Sequence, residues 1–214
     1  MSTFSLQLFP LQTVLYPYCV LPLHIFEPRY RVMIRMCIEH GVPFGIVQAS
    51  GGVELDLDGR SRMRNYDIGT VAQITNVVEF ADGRMFITTQ GHQRFRILKS
   101  AYDEDVLTAV VETYEDLPTD GADVRELSER VGAKFERYWQ LLECVMNREL
   151  GELELPDDPT ALSWLIPSVL HVQPELKQAL LQKRDPRSRL ELIQELLEEE
   201  VEKLRDAMRD GREK

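Results

Sequence analysis

The chain has 214 residues, 43% of them hydrophobic and 29% charged, and a formal net charge of −11. That balance allows a sizeable core and excludes an intrinsically disordered chain. Cys19, Cys37 and Cys144 are too widely spaced for a disulfide framework or a zinc clamp, and no run approaches the roughly 20 apolar residues of a membrane span, so a reducing, cytoplasmic setting is expected.

In chain order, Ser5–Phe9, Val14–Leu21, Phe44–Gln48, Val71–Phe80, Met85–Gln90, His92–Leu98 and Val106–Tyr114 are predicted strands. Each is rich in β-branched and aromatic residues and is bounded by Gly, Pro, Asn or Asp. Asp82-Gly83 carries the signal of a tight hairpin, which folds residues 71–90 back antiparallel. A helix interrupts the strands. Pro28 sits in its first turn, Tyr30, Met33, Ile34 and Cys37 recur at helical spacing, and Gly41 ends it, so it is expected to plug one end of a barrel. Residues 49–67 lack apolar periodicity and read as a long mobile loop.

Beyond Pro118 the pattern turns helical, with Leu127, Val131, Phe135, Tyr138, Leu142 and Val145 along one face. Asp158-Pro159 opens a short helix that Pro167 should bend or break. Gln173-Pro174 and Asp185-Pro186 open two more, the last reaching about Met208. The expected fold class is therefore α+β. A mainly antiparallel β barrel or half-barrel over residues 1–117, with one helix at 28–40, precedes a helical bundle over 118–214 that shares its core.

The residues that could carry chemistry do not assemble into a motif. His24, His40, His92 and His171 show no i, i+4 pairing, no G-x-S-x-G elbow is present, and Cys37 lies on a buried helical stripe. No catalytic residue, metal or cofactor is expected, and His24 reads as a hydrogen-bonded structural residue. Glu27, Arg29, Arg31 and Arg35 form either an ion-paired network fixing the first helix or, through Arg29, part of a ligand groove. Arg94 and Arg96, two apart on a strand, should share one face and pair with neighbouring carboxylates, leaving Phe95 and Ile97 on the other.

Arg60, Arg62 and Arg64 flank Met63 in a basic run that could neutralise phosphates. Against nucleic acid, Glu54, Asp56 and Asp58 precede it and the run has no aromatic platform. Residues 1–100 carry 10 Lys and Arg against 8 Asp and Glu, whereas residues 101–214 carry 15 against 28. Self-repulsion of that size opposes nucleic acid and anionic membranes. A self-compensated loop, or a flap over a protein-binding groove that uses the adaptable Met63, is the plainer reading.

The order of particular residues adds a resemblance. Leu8-Phe9-Pro10-Leu11, Val14-Leu15-Tyr16-Pro17 and the run from Leu21 through Phe26-Glu27-Pro28-Arg29-Tyr30 resemble the opening of the Lon protease N-terminal, substrate-binding domain family. Ile68-Gly69-Thr70-Val71-Ala72, Gly91-His92-Gln93-Arg94-Phe95-Arg96-Ile97, Lys177 to Gln182 and Arg189-Leu190 continue it. The resemblance implies a PUA-like barrel followed by helices, and recognition of unfolded or tagged protein. No G-x-x-x-x-G-K-[ST] loop is present, and the chain ends at Lys214 without room for a serine-lysine peptidase site, so a stand-alone module without the ATPase and peptidase of Lon is expected.

The leading expectation is a non-enzymatic binder of extended or unfolded polypeptide, or an adaptor, using a groove between barrel and helices. Tyr30, Met63, Arg64 and Phe95 would form the contact surface, with Arg29 and Arg94 as polar anchors. The alternatives are an RNA-binding PUA-like protein using the Arg60–Arg64 run, and an enzyme whose site no motif reveals. An uncovered apolar helix face would favour a homodimer.

Overall fold

The computed structural model describes the backbone of residues 2–55, 61–103, 105–119, 121–151 and 153–210, and their side chains apart from 53–55, 61–63 and 210. Eleven elements follow in the order β1 (Thr3–Leu11), β2 (Val20–Ile25), α1 (Pro28–His40), β3 (Phe44–Leu55), β4 (Ser61–Glu79), β5 (Met85–Asp103), β6 (Val106–Thr113), α2 (Ala122–Met146), α3 (Pro159–Val169), α4 (Pro174–Gln182) and α5 (Pro186–Asp210). The sheet runs β2-β5-β4-β3-β1-β6, and β6 pairs again with β5. Five strands thereby close on themselves, and β2 is left as an edge strand held by β5 alone. Only β1 and β3 run parallel; every other pairing is antiparallel. The α+β class and the barrel read from the sequence are thus observed.

The chain divides into two compact units. The first holds Met1–Glu115 and His171–Arg184, the second Asp116–Leu170 and Asp185–Lys214. α4, read from the sequence as part of a helical lobe, belongs with the strands because side chains of the first unit tie it down. Tyr16 Oη donates to the Lys177 carbonyl at 2.9 Å, and Gln178 Nε2 donates to the Ile68 carbonyl at 3.0 Å. Burial pushes the Tyr16 phenol well above its ordinary pKa, so it donates throughout the physiological range.

Two apolar clusters fill the first unit. In one, Tyr30, Met33, Ile34 and Cys37 of α1 pack on Phe9, Ile25, Phe44 and Met85. α1 begins at Pro28 and ends at Gly41, whose φ of 63° suits glycine. In the other, Phe95 packs among Leu8, Val47, Val71 and Val111. The Phe95 ring fills the space that a side chain on Gly69 would need: a Cβ there would lie 2.6 Å from the ring and 2.5 Å from the Ile46 carbonyl oxygen.

The second unit is organised around Arg189, which has no solvent exposure. Its guanidinium makes two 2.7 Å bonds to the carboxylate of Asp116, donates through Nε to Ser163 Oγ at 2.9 Å, and lies 3.6 Å from the Trp164 ring centre. Bidentate geometry and satisfied donors are the conditions under which a buried ion pair offsets its desolvation.

Four local expectations change. Residues 12–19 are not a strand: a Tyr16–Cys19 turn, closed by Cys19 N–H donating to the Tyr16 carbonyl, delays β2 until Val20. The expected loop 49–67 is instead the continuation of β3 and β4, whose register breaks between Val47 and Ala49 and again before Val53. Residues 56–60 lie outside the described residues. Met85–Gln90 and His92–Leu98 are one strand, interrupted in register opposite Thr70 and Ala72. Pro167 does not end α3, which continues to Val169.

Replacing Gly69 with alanine forces the Phe95 ring and the Ile46 carbonyl apart. The expected loss is about 1–3 kcal/mol of unfolding free energy in urea melts; an unchanged midpoint would contradict the tight packing.

Candidate functional site

The six residues selected from the sequence do not form one surface. Tyr30 and Phe95 are buried, Tyr30 with its ring 4.1 Å from that of Phe9. They are core residues because their flanking backbone turns them into the barrel. Arg29 is half-exposed, bonded to Glu27 at 2.8 Å and to the Asp105 carbonyl at 3.3 Å, with its guanidinium 4.5 Å from the Tyr30 ring. With the Arg35–Glu79 ion pair and Arg31 donating to the Asp82 carbonyl, it belongs to the network that fixes α1. The side chains of Arg62 and Met63, and the whole of Arg60, lie outside the described residues.

Arg94 is buried, and it reaches backbone carbonyls that sequence spacing did not indicate. Its Nη1 donates to the carbonyls of Leu181 at 2.6 Å and Lys183 at 2.8 Å, at the C-terminal end of α4. A cation there meets the negative end of the helix dipole. Arg96 does pair with a carboxylate, Glu112 at 3.4 Å, from the neighbouring strand. Both guanidiniums face one ring, that of Tyr114, at 4.9 and 4.7 Å, and Arg184 approaches the same ring at 5.3 Å.

Beside that ring lies an open pocket of about 410 Å³, contained within the first unit. Arg64, Asn65, Tyr66 and Asp67 of β4 form one wall, while Arg96, Tyr114 and Gln182 form another. Tyr114 is held by its hydroxyl donating to the Gln182 carbonyl at 2.9 Å. Of the selected residues whose side chains are described, the pocket receives Arg64.

A second feature was missed by sequence reasoning. Val20, Pro22 and His24 point to the solvent side of β2 by alternation, and Phe26 follows them. His24, expected as a hydrogen-bonded structural residue, stacks on Phe86 of β5 at 4.5 Å between ring centres. Phe86 lies opposite His24 on one side and Val78 of β4 on the other, and Phe80 meets it edge-on at 5.5 Å. Phe26 is 58% exposed, Val78 50% and Phe86 48%. Tyr18, 68% exposed, precedes β2 in a left-handed conformation, φ 65°, that usually belongs to glycine. The available signal was that β2 is apolar on both of its faces, which a half-buried edge strand does not need.

Burial pushes the Cys37 thiol up to about 11, which keeps it protonated and a poor nucleophile. Among the described residues no three His, Cys, Asp or Glu side chains converge as a metal site, and no helix is long and apolar enough to cross a membrane.

Residues 5–199 match the family model of the ATP-dependent protease La (LON) substrate-binding domain. The chain belongs to the Lon substrate-binding domain family. The Lon protease of Escherichia coli K12 is 26% identical over 191 residues, 89% of this chain but 24% of that protein. The Lon protease of Solibacter usitatus is 30% identical over 139 residues, 65% of this chain and 17% of that one. The chain thus spans about a quarter or less of these relatives. Among solved structures, a Lon N-terminal domain protein from Xanthomonas campestris superposes with a TM-score of 0.59 at 26% identity, covering 88% of this chain and 95% of that one. The N-terminal domain of a Mycobacterium avium complex Lon protease shares the fold, with a TM-score of 0.63 at 17% identity and 91% and 98% coverage.

Within this Lon-type domain, Arg94→Met should leave the α4 carbonyls without their donor. The expected cost is about 1–3 kcal/mol, with faster amide hydrogen exchange over Pro174–Gln182; protection equal to that of the unaltered protein would remove Arg94 from this role.

Proposed function

We propose that the chain is a non-catalytic polypeptide-recognition module that holds extended or unfolded segments against the outer face of β2, β5 and β4. The observation that carries this reading is the cross-strand row His24, Phe86 and Val78, with Phe26 and Phe80 beside it, exposed on a sheet whose opposite face is already packed. A contiguous exposed apolar face of this kind is the feature by which interaction surfaces differ from the ordinary scatter of surface hydrophobics. Aromatic rings offer large contact area without selecting one sequence, which suits a binder of varied unfolded segments.

The mode of contact follows from β2. Pro22 lies in the middle of the free edge and has no N–H to donate to an added strand, so binding runs over the side-chain face rather than by edge pairing. Membership of the Lon substrate-binding family supports a substrate-recognition role.

The test is fluorescence anisotropy with a labelled model protein in its permanently unfolded form, compared with the folded form. Unfolded protein alone should bind, and Phe86→Ser should weaken binding about tenfold or more, the effect of losing a central aromatic anchor, while the variant stays folded and loses at most about 1–2 kcal/mol of stability with its cross-strand contacts. Equal failure with both forms, or equal binding by the Phe86→Ser variant, would defeat the reading. Tyr18→Gly, which relieves the left-handed backbone, should leave stability unchanged or gain up to about 1 kcal/mol in urea melts.

A further inference from the structure

We propose that the groove between α2 and the connection from α2 to α3 is a docking site for a basic segment of a partner protein, lying extended along the helix. It goes beyond capture on the aromatic face, because every residue that forms it belongs to the second unit. Two hollows of about 630 and 690 Å³ lie along α2 and share Glu136 and Leu155, so they make one continuous groove. The wall facing the helix is tied to it. Trp139 Nε1 donates to the Gly151 carbonyl at 3.0 Å, and the Leu150 N–H donates to the Glu143 carboxylate at 2.8 Å.

Charge selects the occupant. Glu129, Glu136 and Glu143 recur every seventh residue of α2, which sets them roughly 10 Å apart along one side of the helix. Glu149, Glu154, Asp157 and Asp158 line the opposite wall. Among the described residues none of these carboxylates makes an ion pair, and Arg125 is the one cation in the lining. The excess survives the neighbours: residues 122–159 carry 5 Lys and Arg against 10 Asp and Glu, and two of the five, Arg130 and Lys134, are already paired with Glu126 and Glu198.

The carboxylates are strung out rather than gathered, since no three His, Cys, Asp or Glu side chains among the described residues converge as a metal site. Such a row matches a polymer that carries its own charges at intervals. Nucleic acid is repelled, and so is a second copy of a chain of net charge −11. Between the carboxylates, Phe135, Trp139 and Leu153 offer surface over which an arginine or lysine side chain can lie. Gly132 opens the floor without a packing need: a Cβ there would meet Leu155 at 3.5 Å, an ordinary contact, and alanine would favour the helix. From Glu129 to Glu143 the helix rises about 21 Å, the length of roughly six extended residues.

Trp139 fluorescence reads the groove directly, because the other tryptophan, Trp164, is buried against Arg189. The probe is an unstructured peptide of about ten residues with arginine at every third position, matching the roughly 10 Å repeat of the carboxylates; its counterpart carries glutamine at those positions. The arginine peptide should bind about tenfold more tightly or better at low salt, and the difference should shrink as salt is added. Glu136 is exposed and borders both hollows. Glu136→Arg should weaken binding about tenfold or more, and Glu136→Gln by less, with both variants folded by circular dichroism. Glu199→Arg makes the same change of net charge at an exposed position of α5 and should leave binding as it was, as should Phe86→Ser. Equal binding of the two peptides, binding of neither, or equal losses from Glu136→Arg and Glu199→Arg would overturn the groove. Loss with Phe86→Ser would move the peptide to the aromatic face and overturn it too. Failure of unfolded protein to bind, with the arginine peptide still bound, would remove only the aromatic-face reading. Tighter binding of spermine, a Trp139 signal saturated by calcium, or self-association abolished by Glu136→Arg would each assign the groove to another occupant and overturn the proposal.

Discussion

The geometry of the pocket depends on one buried cation. Arg94 is 3% exposed and directs its guanidinium at the last carbonyls of α4, where the helix dipole is negative and the peptide oxygens lack intrahelical donors. Removing a guanidinium from water is costly; two short charge-assisted bonds and the Tyr114 ring at 4.9 Å help to offset it here. Tyr114 then bonds Gln182, and both become walls of the pocket. A residue on a barrel strand thus sets the position of a helix 87 residues further along the chain.

The second unit solves a similar problem with different partners. Arg189 has a carboxylate, Asp116, where Arg94 has peptide carbonyls, and it stacks on Trp164 as Arg94 does on Tyr114. In both units an arginine buried against an aromatic ring ties together segments far apart in sequence. Arginine suits this better than lysine because its planar group can stack and donate in several directions at once.

These ties also explain what was legible in the sequence. α1 was readable because its start, stripe and stop are all local: Pro28, four apolar residues at helical spacing, and Gly41. The hairpin between β4 and β5 was readable for the same reason. The loop misread at 49–67 has no apolar alternation, because long strands reaching beyond a packed core need none. The candidate residues were misjudged for a related reason. Sequence spacing correctly put Arg94 and Arg96 on one side of β5, yet only tertiary packing decides that one is buried against α4 and the other open to the pocket. Tyr114 and Gln182 carry no motif at all, and the exposed row on β2 and β5 needs the register of two strands to assemble.

That row and the pocket differ in the forces they can exert. Apolar contact with Phe86 and its neighbours is non-directional and tolerant of sequence, so it favours any unfolded segment over a folded surface that has hidden its side chains. A guanidinium pair is directional and sensitive to a single charge.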